Sequence, residues 1–260
     1  MALHVQPSFN KYSTAQNISY RSYFLGWVVF LAPSRSLRII SNCSLVISLG
    51  YAFLILFTAC FFLYYIPVFL ICKDTEQALR NHGVPTKQLD IITPGGYYTV
   101  GNFEITARQG RHCQFDALLV VRTVLRYLKP GNLRHGLRLL RCNKEYPENG
   151  EILFYELKSG GKRLQIMGSM GLDGDTEYPT GADLLILPYQ GKSKPEQYAA
   201  SLVERLRPKA VLLDHYDNSF PPMTSRIRTA QFEKLLREKY KIPCRAMERG
   251  TTYDMEELTL

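Results

Sequence analysis

The first 73 residues contain neither Asp nor Glu; their only charges are Lys11, Arg21, Arg35, Arg38 and Lys73, and all 23 acidic residues of the 260-residue chain lie from Asp74 onward. That imbalance excludes one uniformly composed domain and divides the chain into two parts that join near residues 66 to 74. Long basic runs interleaved with aromatics are also missing, so a net charge of +9 is too mild to point to nucleic acid, and no nucleic-acid partner is expected. The six cysteines form no C-x-x-C pair, which disfavours a disulfide framework and suits free thiols in a reducing compartment. No G-x-G-x-x-G, no glycine-rich loop ending in Lys-Ser/Thr and no Gly-x-Ser-x-Gly elbow occurs, so nucleotide-binding and serine-nucleophile readings lose their support.

What the acid-free part does contain is "LVISLGYAFLILFTACFFLYYIPVFLIC", residues 45–72, without a charge. Pro67 divides it, because proline removes a helical donor and biases Ile66 toward extended backbone. As a helix, 45–65 would measure about 31 Å at about 1.5 Å per residue, close to a hydrocarbon core of about 30 Å. The expectation is a transmembrane helix at 45–65, with Tyr64 and Tyr65 at one interface, and hence a bilayer partner and a membrane location. A buried core helix, in a cytoplasmic protein, and translation in a shifted frame are the competing readings. Arg35 and Arg38 precede the run while Lys73, Arg80 and Lys87 follow it, a balance that leans toward a cytoplasmic C-terminal domain. "SYFLGWVVFLAP", residues 22–33, is too short to span and reads as an interfacial or buried segment.

From residue 66 the pattern becomes that of a folded domain. "IPVFLIC" reads as a buried strand, followed by a short helix capped by an Asp74-x-x-Gln77 box and ended by Gly83. "QLDII" reads as a strand, "TPGG" as a turn and "YYTVGNFEITA" as a hairpin whose second arm alternates Phe103, Ile105 and Ala107 with Glu104 and Thr106. "DALLVVRTVLRYLK" has helical period up to Pro130-Gly131. Between Asp116 and Glu145 the chain carries Arg122, Arg126, Lys129, Arg134, Arg138, Arg141 and Lys144 and no acid, which fits a solvated face or, alternatively, a membrane-surface or lid segment. A hairpin around Ser159-Gly160-Gly161 follows, then the strand "ADLLILP", the helix "PEQYAASLVERLRP", the strand "KAVLLD", a last helix from about Arg228 to Tyr240 and a strand over 243–247. Hairpins succeeded by strand-helix-strand units imply an α/β layered fold.

The chain has five histidines: His4, His82, His112, His135 and His215. His215 follows the strand "KAVLLD" and so projects from a carboxyl strand end, where open α/β sheets place ligands. Asp214 and Asp217 flank it, either orienting its ring or standing as solvated loop carboxylates. "RHCQFD" sets His112, Cys113 and Asp116 together, all zinc ligands by type. His82 and His135 read as surface residues.

In order, "TPGGYYTVGNFEITA", "GRHCQFD", "GEILFYELKSGGKRLQIMGSMGLD", "ADLLILPYQG" and "RLRPKAVLLDHYDNSFPP" resemble the C-terminal two-thirds of a metallo-β-lactamase-superfamily hydrolase, over about residues 66–247. The resemblance implies a partial αββα sandwich, preceded by the hydrophobic helix, with residues 1–65 a separate segment and 66–260 a domain lacking its N-terminal third. It implies zinc that activates water for hydrolysis, with His112 and His215 at the middle and last metal-binding histidine positions. The family's His-x-His-x-Asp-His signature has no counterpart, since only His4 precedes "IPVF" and no aspartate precedes Asp74. Where many members have a bridging aspartate this chain has Ser169, with Asp173 the nearest substitute ligand. A catalytic zinc needs about three protein ligands and an open position. The expected function is therefore that of a metal-dependent hydrolase homologue, catalytically impaired, with a partial or lost zinc site at His112, His215 and Asp173; the alternative is a membrane-anchored, non-catalytic binding or scaffolding module.

Overall fold

The computed structural model describes residues 2–5, 28–31, 37–40, 69–81, 83–129, 131–132, 134, 137, 151–218, 224–248 and 251–259. The transmembrane expectation at 45–65 and the surface assignments of His82 and His135 lie outside the described residues. Among the described residues no helix is long and apolar enough to cross a membrane. In chain order the first elements are β1 (Ala2–Val5), β2 (Val28–Leu31), β3 (Leu37–Ile40), β4 (Phe69–Ile71), α1 (Lys73–Asn81), β5 (Leu89–Ile91), β6 (Tyr97–Val100), β7 (Phe103–Gln109) and α2 (Ala117–Tyr127). They are followed by β8 (Leu153–Ser159), β9 (Lys162–Met167), β10 (Leu184–Pro188), α3 (Pro195–Leu206), β11 (Val211–Asp214), α4 (Ala230–Leu235), β12 (Cys244–Ala246), β13 (Thr252–Asp254) and α5 (Met255–Thr259).

The chain divides into two compact units, one holding Pro94–Met247 with Met255–Leu260 and the other Ala2–Thr93 with Glu248–Asp254. The second unit carries a six-stranded mixed sheet in the order β13-β1-β3-β2-β4-β5. "VVFL" inside residues 22–33, expected as an interfacial or buried segment, is strand β2, antiparallel to β3 and β4. Branched and aromatic residues favour a pleated, paired backbone, which accounts for the difference. β4 and β5 pair in parallel around α1, as "IPVFLIC" and "QLDII" foretell. Helix α1 starts at Lys73, so Asp74 lies inside it, and Gln77 Nε2 donates to Asn81 Oδ1 at 2.9 Å instead of closing a capping box. Its C-terminus closes as expected at Gly83: Gly83 N–H donates to Arg80 O and Val84 N–H to Leu79 O, the paired bonds of a Schellman motif.

The larger unit is a seven-stranded sheet, β12-β11-β10-β9-β8-β7-β6. β6 to β9 form an antiparallel meander, and β9 to β12 are parallel neighbours. The β8–β9 hairpin turns at Gly160 and Gly161, with φ of 57° and 75°, both in the left-handed region that a two-residue type I′ turn demands. Every residue of β10 is buried, the pattern of a central parallel strand covered on both faces. On one face Leu185, Leu187, Val211 and Leu213 meet Ala199, Leu202, Val203 and Leu206 of α3 with Phe232 and Leu236. The helix from Ala230 ends as a π-helical turn over Leu236–Tyr240. Beyond β12 the chain continues into β13 and α5, which sequence pattern alone does not foretell; Met255 and Leu258 of α5 are buried.

A polar network ties the meander to β10. Arg163 donates from Nε and Nη2 to the buried Glu156 Oε1 at 3.0 and 2.9 Å, and its backbone N–H donates to Asp183 Oδ2 at 2.7 Å. Lys209 Nζ completes the set, 2.7 Å from Asp183 Oδ1. Burial pushes the Asp183 carboxyl up, but the Lys209 ammonium and the Arg163 N–H outweigh it and hold it below the usual range. A depressed folded-state pKa means this stabilisation is present above the unfolded value of about 3.9 and is lost as pH falls through the folded one. Asp183→Asn is therefore expected to cost about 1 kcal/mol in denaturant unfolding at neutral pH, with the difference from the parent shrinking as the solution is acidified below about pH 3.9. Tyr189, fully buried and stacked on Phe232 at 5.1 Å, carries a hydroxyl with no hydrogen-bond partner among the described residues. Tyr189→Phe removes that desolvated group and is expected to raise stability by about 1 kcal/mol in the same measurement.

Candidate functional site

Because β7 is antiparallel to β8 and β8 to β9, β7 points the same way as β9, β10 and β11. The segments that leave these four strands, Gly110–Asp116, Gly168–Tyr178, Tyr189–Ser193 and His215–Asp217, therefore emerge at one edge of the sheet. Backbone bonds knit them together. Gly110 N–H donates to Ile152 O at 2.7 Å and Arg111 N–H to Gly171 O at 3.3 Å. Cys113 N–H donates to Ser169 Oγ at 3.0 Å, and Ser193 N–H to Asp116 Oδ2 at 2.7 Å. Lys192 Nζ donates to Gln114 O.

His112 is half-buried, with Nδ1 3.1 Å from Cys113 O and its ring edge-on to Phe115. A carbonyl only accepts, so Nδ1 carries a proton, and in the neutral ring Nε2 keeps its lone pair for another partner. His215 has φ of 52°, a left-handed conformation that side chains other than glycine adopt at a cost of about 1–3 kcal/mol. Burial drives its imidazole toward the neutral form; Asp217 favours the charge and His112 opposes it. Both histidines singled out in the sequence thus stand on loops of this one edge, His112 disfavouring charge on His215. Asp214, beside them, is pushed up to about 7 by burial and by Asp217, against a hydrogen bond from the His215 backbone N–H. Gln190 Nε2 fixes the following loop by donating to Asp217 O at 2.6 Å and Ser225 O at 3.2 Å.

Other ligand types in these loops are occupied with structure. Burial pushes the Cys113 thiol up to about 11, and it lies in the core cluster with Phe154 and Tyr189. Asp116 is the N-cap of α2, its Oδ1 accepting from Leu119 N–H at 2.9 Å. Asp173 orders its own loop: Oδ2 accepts from Thr176 Oγ1 at 2.9 Å and Asp175 N–H at 3.2 Å, bonds that hold its pKa low, and Tyr178 Oη accepts from its N–H at 2.8 Å. Among the described residues no group of three or more His, Cys, Asp and Glu is arranged to hold a metal ion. The donor set fits the family's zinc centre only in part. Ser169 and Gln190 are positioning residues that sequence spacing does not reveal, since their partners are distant in the chain.

With this geometry in place, comparison with known proteins gives the following. No family model matches the sequence, and no curated protein does either. Solved metallo-β-lactamase-fold hydrolases are similar to this chain over about 70% of its length. Igni18, a metallo hydrolase from the hyperthermophilic archaeon Ignicoccus hospitalis, is 17% identical with a TM-score of 0.44, covering 72% of this chain and 69% of its own. The metallo-β-lactamase fold protein YhfI from Bacillus subtilis is 14% identical with a TM-score of 0.40, over 70% and 62%. An isothiocyanate hydrolase from Delia radicum gut bacteria is 11% identical with a TM-score of 0.40, over 72% and 68%. The chain thus spans between 62% and 69% of the length of these three.

The loop that presents His112 depends on a close approach at Gly171, where a Cβ would collide with the Arg111 carbonyl; at Gly174 a Cβ meets nothing within 4 Å. Gly171→Ala is expected to destabilise by about 1–3 kcal/mol and to shift the His112 imidazole resonances, while Gly174→Ala leaves both unchanged. Unfolding curves and histidine-selective NMR on the two variants check this.

Proposed function

We propose that this chain is a metallo-β-lactamase-superfamily hydrolase homologue, with the αββα sandwich that its motif order implies, whose metal centre is incomplete within this polypeptide and whose hydrolytic activity is accordingly impaired. The observation that carries the reading is the convergence of His112 and His215 at one sheet edge, His112 with Nε2 available as a donor, while Cys113, Asp116 and Asp173 are committed to core, cap and turn. Two imidazoles fall short of the roughly three protein ligands that hold a catalytic zinc. His112 and His215 would bind any ion that enters; what zinc supplies when fully held is a bound water of lowered pKa and an electrophilic anchor for the scissile group. The histidines here contribute orientation and ring-nitrogen donors, and Asp217 a carboxylate that favours charge on His215.

Membrane attachment through 45–65, with the C-terminal domain on the cytoplasmic side, belongs to the same reading and is supported by the uncharged run. A purely scaffolding role is the second reading, favoured by the occupied ligand types at the sheet edge. Zinc content of the purified full chain, measured by mass spectrometry with hydrolysis of phosphodiester and lactam substrates, separates these readings. The expected result is substoichiometric zinc that falls further in His112→Ala and His215→Ala, with no turnover above background. Zinc content unmoved by either substitution favours the scaffold, and a stoichiometric centre with rapid turnover refutes impairment.

A further inference from the structure

Helix α2 is inverted relative to an ordinary surface helix. Apolar residues at three- and four-residue spacing normally face the core; here no residue of the helix is buried, and the stripe Leu118, Val121, Leu125 and Leu128 is 47, 54, 58 and 67% exposed. Val120 and Val124 widen the apolar surface of the helix, 46 and 50% exposed. A cluster of that size on an outward face marks an interaction surface. Its charges are of one sign: Arg122 and Arg126 lie on the helix and Lys129 just beyond, and from Ala117 through Lys144 the sequence has no acid. The nearest carboxylate, Asp116, is taken up by the Leu119 and Ser193 N–H groups.

We propose that α2 docks on an anionic lipid bilayer surface, the Leu118–Val121–Leu125–Leu128 stripe entering the headgroup boundary and Arg122, Arg126 and Lys129 meeting lipid phosphates. A basic rim beside an apolar face is the combination that binds such surfaces, each cation near the membrane adding to the attraction. A second copy of the chain is the poorer occupant. In a two-fold pair the stripe meets itself, bringing the same arginines together with no carboxylate from Ala117 through Lys144 to offset them. The inference is independent of the metal reading, because the docking residues between Leu118 and Lys129 all follow Asp116, outside the loops of the histidine edge.

The test is a reporter on the helix itself, so that a span elsewhere in the chain does not mimic the result. Trp27 is the only tryptophan; in the full chain, Trp27→Phe with Leu125→Trp puts the sole indole on the exposed stripe. Expected are a blue shift and quenching by brominated lipid on adding phosphatidylserine-containing vesicles, a much smaller response to phosphatidylcholine vesicles, and a loss of partitioning on the order of tenfold or more in Arg122→Glu/Arg126→Glu. All substituted helix positions are at least partly exposed, so circular dichroism should match the parent. No response, an equal response to neutral vesicles, or a response that survives the charge reversal overturns the proposal. So does emission already blue-shifted without lipid and dependent on protein concentration, which would assign the face to a second copy.

Discussion

Strand direction is the constraint on which the rest of the larger unit depends. Two reversals, at β7–β8 and β8–β9, restore the heading of β7 before the parallel run β9-β10-β11 begins. Loops distant in sequence are thereby forced onto one edge, which carries both His112 and His215. A register slip of one residue in β8 would turn Leu153, Tyr155 and Leu157 to the opposite face and break the core. The type I′ turn at Gly160-Gly161 prevents such a slip by fixing Ser159 opposite Lys162. The edge geometry is thus a consequence of pairing and packing, established before any question of chemistry arises.

What the sequence discloses follows from whether the deciding interaction is local. The hairpin at Gly160-Gly161, the alternation of Phe103, Ile105 and Ala107, the helix starting at Pro195 and the buried strand ending at Asp214 are set by periodicity and turn chemistry, and the structure has each of them. The start of α1 slips by one residue because a cap depends on backbone geometry as well as on residue type. β13 and α5 escape notice because "TTYDMEELTL" has too few apolar residues to show a period; Met255 and Leu258 acquire meaning only when a sheet is there to bury them. Helix α2 is legible as a helix, while the direction of its apolar stripe is not, since periodicity gives a stripe and not its partner.

The candidate site shows the same division. His112 and His215 are recognisable as metal-ligand types near strand ends, but nothing local in "LLDHYD" reveals that His215 is left-handed. Cys113 and Asp116 look like further ligands from spacing alone. Burial makes one a core residue, and a helix N-terminus makes the other a cap. Asp173 is the nearest carboxylate after Ser169 in sequence, and its hydrogen bonds give it a structural task in the turn.

Retention of the edge geometry and retention of chemistry are separable here on physical grounds. The loops are held by backbone bonds such as Arg111 N–H to Gly171 O and Tyr189 N–H to Asp214 O, by Ser169 on Cys113 N–H, and by a core of α3 against β10 and β11. None of these interactions calls for a metal. The groups singled out at the histidine edge, by contrast, destabilise the fold: a desolvated Asp214 beside Asp217, a His215 driven toward neutrality by burial, and a left-handed backbone at the same residue. Loss of these groups would remove such costs without loosening the sheet. A chain of this fold can therefore keep its framework while its ligand set shrinks, which is why the fold does not by itself fix the activity.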